Sequence, residues 1–168
     1  MAAIFKAKHN FFWLALILFS GCGPVLSQTV IDESNPNVLL GELQRNPARY
    51  QGMSVLFGGT IVQVGNDAEG SWVEILQRPL GYRLEPKLND QTGGRLLLKS
   101  NEIWDDQIFA KGRKITLVGK VEGTQTRSLN ETTYDYPVLS VTEYHLWPQG
   151  RTRTGPDVQF SFGLFGSF

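Results

Sequence analysis

The chain has 168 residues, of which 41% are hydrophobic, and its 16 basic residues balance 16 acidic ones. This length suits a single domain, and the lack of a basic surplus argues against a nucleic-acid partner. Because there is only one cysteine, an internal disulfide is excluded.

The N-terminus has the layout of a secretory signal. Lys6 and Lys8 supply positive charge, residues 11–19 are an unbroken apolar run, and the small residues Ser20 and Gly21 follow. This order of charged, apolar and small residues is typical of a signal peptide. The apolar run of nine residues is too short for a spanning helix, which needs about 20 residues. We therefore predict a cleaved signal over residues 1–21.

Cys22 follows this run directly. The segment 18–22 resembles the lipobox of bacterial lipoprotein precursors, in which the cysteine is acylated and becomes the first residue of the mature chain. Phe19 stands where that pattern prefers Leu, Val or Ile, so ordinary cleavage without acylation is the alternative. The resemblance implies a covalent lipid on Cys22 and no other cofactor. Gly23 stands where Asp would retain such a protein at the inner membrane, which points to the outer membrane. Two or more acyl chains give stable anchoring, whereas one does not.

The mature chain divides into three parts. Residues 22–34 contain Pro24 and predict a polar, lipidated tether, and residues 35–150 carry the patterns of a folded domain. Residues 151–168 are rich in Phe, Gly and Ser, which favours a flexible low-complexity tail. A membrane-touching or self-associating segment is the alternative for this tail.

Within the domain, a helix is predicted from Asn35-Pro36 to about Asn46, since asparagine is a good N-cap and proline suits the first turn. A strand over about 53–64 changes its apolar phase at Gly58-Gly59, where we expect a bulge. Pro137, inside the last strand, indicates a sheet edge or a bulge. The remaining predicted elements are strands over about 72–76, 95–99, 114–121 and 133–146, and a short helix near 102–110.

Two segments of the domain echo each other. Each has an aromatic residue, a glycine turn, and a strand with a second glycine seven residues after the first. The turn glycine tolerates positive φ, and the strand glycine permits the strong coiling of a small barrel. The pairs are Tyr50 and Phe109, Gly52 and Gly112, and Gly59 and Gly119.

The element order favours an all-β fold with one or two short helices, arranged as a small five-stranded OB-like barrel. An open β-sandwich or meander is the alternative. A parallel α/β fold is disfavoured, because the sequence offers too few crossover helices.

Residues for catalysis or metal binding are sparse in the mature sequence. His145 and Glu143 share one strand face, but two ligands do not make a site, so no metal is expected. Ser100, Ser128 and Ser140 lack a nucleophile elbow. We therefore predict a protein that is not an enzyme. The alternative, a hydrolase of envelope polymers, requires His145 beside a Ser, Asp or Glu in a cleft.

Aromatic residues supply the remaining candidate site. OB-type barrels bind oligosaccharides through one face, so Trp72, Tyr134, Tyr136 and His145 are candidate ligands for saccharide or peptidoglycan fragments. Tyr144 and Trp147 add to the aromatic content of the same region of sequence. The competing interpretation is that these rings fill the barrel and cover its ends.

From Cys22 to about Trp147 the chain resembles the Slp family of outer-membrane lipoproteins from Gram-negative bacteria. The resemblance implies an envelope lipoprotein linked to starvation or stationary phase, with no reaction and with Cys22 as the acylation site. The implied role is envelope maintenance or partner binding; the partners would be the membrane, through the anchor, and an envelope protein or glycan. The residues that carry the resemblance are Asn46-Pro47, Tyr50, Gly52, Gly58-Gly59-Thr60-Ile61, Glu74-Ile75-Leu76, Pro79-Leu80, Gly94-Arg95, Gly112-Arg113, Val118-Gly119, Tyr134-Asp135-Tyr136-Pro137-Val138 and Leu146-Trp147.

Overall fold

The computed structural model describes residues 25–67 and 70–149. Cys22 and the predicted tail over 151–168 lie outside the described residues. Within the described ranges, no helix is long and apolar enough to cross a membrane. The helices are α1 (Gln28–Asp32), α2 (Leu40–Arg45) and α3 (Pro47–Tyr50), and the strands are β1 (Ser54–Asp67), β2 (Gly70–Arg78), β3 (Arg95–Ser100), β4 (Lys114–Leu129) and β5 (Thr132–Leu146).

The five strands close into a barrel in the order β1-β2-β3-β5-β4, with β4 returning to β1. All neighbours are antiparallel except β3 and β5, which are parallel. This confirms the five-stranded OB-like barrel and rules out the open sandwich or meander. The barrel interior is filled by alternate side chains of every strand, including Val55, Phe57, Val73, Ile75, Leu96, Leu98, Ile115, Leu117, Val121 and Leu139.

The phase change in β1 is real, but its predicted position was wrong. The register between β1 and β2 shifts between Ile61 and Gln63, not at Gly58-Gly59. The glycines serve close backbone approach instead. A Cβ on Gly59 would lie 2.5 Å from the carbonyl oxygen of Leu76, a distance that no side chain tolerates.

The sequence echo corresponds to a structural pseudo-symmetry between β1 and β4. Gly52 and Gly112 both have positive φ, at 77° and 84°. The Gly52 N–H donates to the Val121 carbonyl at 2.8 Å, and the Gly112 N–H donates to the Ile61 carbonyl at 2.8 Å. The turn before each strand therefore binds the residue just after the paired stretch of the other strand, which fixes the β1–β4 register from both ends.

Two helix predictions need correction. Residues 102–110 form turns rather than a helix, because Trp104 and Phe109 both turn inward and stack at 4.9 Å. The backbone carbonyl of Asp105 holds this turn by accepting the Phe109 N–H at 2.8 Å. The first predicted helix begins at Leu40 instead of Asn35, because the Asn35 N–H is bound to the Ser54 carbonyl at the start of β1.

Pro137 lies in β5 without interrupting it. The predicted bulge occurs on the facing strand, where the β4 register shifts between Val121 and Gly123. Pairing with β3 starts only at Val138, so the proline, which has no N–H, adjoins the end of that ladder.

The N-terminal segment packs against the barrel, contrary to the expected polar tether. Leu26 is buried against Leu56 and Val118 on the outer face of β1 and β4, and Val30 and Ile31 of α1 contact the same cluster. This apolar contact holds the chain on the barrel wall from Val25 onward.

Candidate functional site

The structure brings together three of the four candidate ligand-binding residues. Trp72, Tyr134 and Tyr136 lie on the outer face of β2 and β5 around Leu97, and the two tyrosine rings meet at 4.7 Å. His145 does not join them. Its ring packs edge-on against Trp147 at 4.9 Å, beside Thr116 of β4.

A charged network lies among these aromatic rings. Glu74 is only 4% exposed and forms an ion pair with the guanidinium of Arg95. Its carboxylate also accepts the Gln63 amide at 2.8 Å and the Tyr136 hydroxyl at 3.3 Å. The hydrogen bond to Glu74 raises the pKa of Arg95. Burial, followed by the negative charge of Glu74, raises the pKa of Tyr136.

The Trp72 ring lies against Gly65 and under the Arg127 guanidinium, 4.4 Å from the ring centroid. Tyr134 accepts the Arg95 backbone N–H at 2.9 Å through its hydroxyl. These rings are therefore engaged with the protein itself, but on the outer face of the barrel rather than in its interior. Ligand binding at this face stays a prediction.

A cleft of about 680 Å³ opens elsewhere on the barrel, where β3 separates from β5. The parallel ladder ends at Lys99 and Ser140, whereas β5 continues along β4 as far as Leu146. The divergence of the two strands leaves a space that the chain after β3 only partly closes. The cleft is lined by Lys99, Ser100, Asn101, Glu102, Trp104, Glu122, Ser140, Val141, Thr142, Glu143 and Tyr144.

The lining of this cleft, which we call the β3–β5 cleft, combines polar groups with aromatic rings. Tyr144 is 37% exposed and packs against Trp104 with ring centroids 6.2 Å apart. Trp104 is buried, and its indole N–H has no acceptor within the described ranges. Glu143, at one rim, accepts the Ser27 backbone N–H at 2.8 Å and thereby links the cleft to the N-terminal segment.

The sequence pattern does not indicate this cleft. It shows Tyr144 as one aromatic residue among several, and nothing local connects Ser140, Thr142 and Tyr144 with Lys99 and Glu122. The missing information was the parallel pairing of β3 with β5, because that pairing alone decides where the two strands part.

A second groove, of about 560 Å³, is mainly apolar and lies between α2 and the chain that follows β2. Its wall includes Leu39, Leu56 and Leu80, of which Leu39 is 65% exposed. No group of three or more His, Cys, Asp or Glu side chains able to hold a metal occurs within residues 25–67 and 70–149.

Comparison with known families shows which protein family the chain belongs to. The family described as "Outer membrane lipoprotein Slp family" matches residues 19–163, which is most of the chain. This protein belongs to the Slp family. The match includes Cys22 and both strands that border the β3–β5 cleft. Proteins of this family are lipoproteins of the outer membrane, and this one is accordingly a lipid-anchored protein of that membrane.

Two relatives from Escherichia coli K12 support the assignment. The chain is 29% identical over 131 residues to "Uncharacterized lipoprotein YeaY", covering 78% of this chain and 67% of that protein. It is 22% identical over 132 residues to "Outer membrane protein Slp", covering 77% and 69% respectively.

The solved structures that match do so with low TM-scores and low sequence identity. A putative aspartyl-tRNA synthetase from Leishmania major matches with a TM-score of 0.38 and 11% identity, over 82% of this chain and 26% of that one. A small single-stranded DNA-binding protein from Streptomyces coelicolor matches with a TM-score of 0.33 and 8% identity, over 56% and 94%.

Proposed function

We propose that this Slp-family protein is a non-enzymatic binding module, held at the outer membrane by lipid on Cys22, whose ligand is an envelope glycan bound in the β3–β5 cleft. The observation that carries the proposal is the cleft itself, since its volume of about 680 Å³ suits a small oligosaccharide segment.

The lining chemistry favours a saccharide over an apolar ligand. Sugar hydroxyls both donate and accept hydrogen bonds, and the cleft offers hydroxyls on Ser100, Ser140 and Thr142 and a carboxylate on Glu122. The half-exposed ring of Tyr144 provides an apolar surface for the C–H face of a sugar.

Two features support a non-catalytic role. The buried carboxylate of Glu74 is engaged by Arg95, Gln63 and Tyr136, an arrangement that stabilises the wall of the barrel. His145, which a hydrolase would need as a base, is not among the residues that line the β3–β5 cleft, and its ring packs against Trp147. Use of the protein in starvation or stationary phase, for envelope maintenance, is part of the proposal and rests on the family resemblance.

The glycan proposal is tested by calorimetric titration of the full-length lipidated protein, in detergent micelles, with soluble peptidoglycan fragments. We expect saturable binding that Thr142→Ala weakens by about 2- to 10-fold, the range for one hydrogen bond. Thr133→Ala is the matched control, because Thr133 is an exposed threonine on the same strand outside the cleft. It should bind as the unchanged protein does.

Four results would contradict the proposal. No saturable heat with any fragment, or equal weakening by both threonine variants, would rule out this cleft as a glycan site. Co-purification of an envelope protein that Thr142→Ala abolishes, without glycan binding, would favour a protein partner instead. Release of new reducing ends from the fragments would show an enzyme.

The anchor is tested separately by metabolic labelling with a palmitate analogue. Labelled protein is expected from the unchanged sequence and none from Cys22→Ser. Label that persists in the variant would show that another residue carries the lipid.

A further inference from the structure

We infer that the connection between β2 and β3, from Pro79 to Leu88, is the face of the domain that rests on the lipid bilayer. We call it the β2–β3 loop face. This inference rests on acylation of Cys22, as proposed above, but it does not depend on a glycan ligand.

The first argument is the short reach of the anchor. Two residues separate Cys22 from Val25, and the three Cα–Cα steps between them span at most about 11 Å. Val25 packs against the cluster of Leu26, Leu56 and Val118, which also takes Leu80 and Leu84 from the β2–β3 loop face. A lipid on Cys22 would therefore bring this side of the barrel, and not the far end of the hairpins, close to the bilayer.

The second argument is that the loop is built to hold its tip outward. Leu80 pairs with Pro86, and the Gly81 N–H donates to the Glu85 carbonyl at 2.7 Å. Leu84 has a φ of 62°, a conformation that residues with a Cβ rarely adopt. Its side chain packs on the apolar cluster and its carbonyl accepts the Thr116 hydroxyl at 2.6 Å. Leu80 and Leu84 are directed inward, and of the three residues between them Tyr82 and Arg83 form the tip.

The third argument is the chemistry of the exposed residues. Tyr82 is fully exposed, Leu88 is 70% exposed, and Arg83 and Lys87 are exposed as well. Tyrosine is enriched at membrane–water interfaces, and arginine and lysine are attracted to lipid phosphates. The nearby Glu85 carboxylate turns back to accept the Arg83 backbone N–H at 3.1 Å. The face thus combines apolar and basic groups, a combination that suits a phospholipid surface.

The segment that carries Leu88 is also fixed in place. The Arg78 guanidinium donates to the carbonyls of Asn89 and Gln91. Leu88 is therefore held at the surface at the base of the loop, next to Lys87, whose backbone N–H donates to the Pro79 carbonyl at 2.9 Å.

The inference is tested with the full-length lipidated protein in vesicles of phosphatidylcholine and phosphatidylglycerol. Tyr82→Cys supplies a thiol for the environment-sensitive fluorophore NBD, because an acylated Cys22 is not available for labelling. Ile103→Cys is the matched control. Ile103 is an apolar residue exposed by 86%, but it adjoins Trp104, whose backbone N–H donates to the Ser71 hydroxyl at the opposite end of β2.

We expect a blue-shifted NBD emission at position 82 and several-fold stronger quenching by nitroxide-labelled lipids than at position 103. Adding Arg83→Gln and Lys87→Gln should reduce the quenching at position 82. Equal quenching at the two positions, or stronger quenching at 103, would overturn the inference. A blue shift at position 82 that lipid-borne nitroxide does not quench would also overturn it and would assign this face to contacts between copies of the protein.

Discussion

Glu74 illustrates how a buried charge is accommodated on the wall of a small barrel. Its carboxylate is almost fully removed from water, yet both oxygens have donors, from Arg95, Tyr136 and Gln63. Removing one partner from such a network lowers the free energy of unfolding by more than the intact network raises it, because the remaining buried groups lose their hydrogen bonds. The pattern of a glutamate between Val73 and Ile75 signals only an outward side chain, so burial was not predictable from the sequence.

We expect Glu74→Ala to lower the free energy of unfolding by about 1–3 kcal/mol. Arg95, whose side chain is 31% exposed, can recover hydration, which limits the loss. Urea denaturation followed by tryptophan fluorescence measures the change. Glu131→Ala, at the exposed tip between β4 and β5, should shift the free energy by no more than about 0.5 kcal/mol. Equal stability of the two variants would contradict a stabilising role for the network.

Tyr136 should make the stability sensitive to alkaline pH. Burial and the charge of Glu74 raise its pKa above the ordinary value of 10.0. The unfolded chain then releases the phenol proton first, so the stabilising contribution is complete below pH 10 and is lost as the pH rises toward the raised pKa. Tyr136→Phe should remove this loss. Urea unfolding of both proteins at about pH 9 and about pH 11 tests it, and parallel changes would show that Tyr136 is not responsible.

At the level of the elements, the glycines separate into two kinds. Gly59, inside β1, has no room for a Cβ, because that atom would lie 2.5 Å from the Leu76 carbonyl oxygen. A Cβ on Gly41, inside α2, would meet no atom of another element within 4 Å. Overpacking at Gly59→Ala should destabilise the barrel by about 1–3 kcal/mol. Gly41→Ala should stabilise it by about 0.5–1 kcal/mol, because alanine favours helix.

Urea midpoints of the two alanine variants, measured in parallel, check this pair. A change of the same sign in both would show that backbone approach at Gly59 is not the constraint.

The strands were more predictable than the connections between them. The alternation of apolar residues in β4 predicts its core face at Ile115, Leu117 and Val121. The repeated glycine pattern corresponds to the pseudo-symmetry between β1 and β4. The helix predicted over residues 102–110 does not form. Ile103 and Trp104 suit a helix, but Trp104 turns inward at the end of the barrel and stacks on Phe109. Such long-range demands are not written in local periodicity.

For the candidate site too, the faces of single strands follow from the sequence, whereas positions set by the barrel topology do not. Trp72, Tyr134 and Tyr136 came together as one face because they occupy outward positions on β2 and β5. His145 could not be separated from them by sequence, since β5 is long enough to carry residues to both ends of the barrel. The β3–β5 cleft depends on where two parallel strands diverge, which only the closed topology defines.

Over the whole molecule, the segment from Val25 to Ser34 connects the anchor, the barrel and the cleft. Leu26 packs between Leu56 and Val118, and Ser27 binds Glu143 at the cleft rim through both its N–H and its hydroxyl. With lipid on Cys22, as proposed, the segment defines how far the barrel can move from the membrane. If the segment were released, the tether would extend from the three residues before Val25 to more than ten.

We expect Leu26→Ser to detach this segment while leaving the barrel folded. A buried leucine replaced by serine loses its apolar contact and places a hydroxyl in the cluster, but the five-stranded ladder does not pass through this residue. Hydrogen exchange of the lipidated protein in micelles should then show lost protection at the amides of Ile31 in α1 and of Glu33 at its C-cap, with β1 and β4 still protected. Leu39→Ser, at a leucine that is 65% exposed, should leave the pattern unchanged. Loss of protection throughout β1 and β4 would instead show that the segment unfolds together with the barrel, and the distance to the membrane would then be set by the fold as a whole.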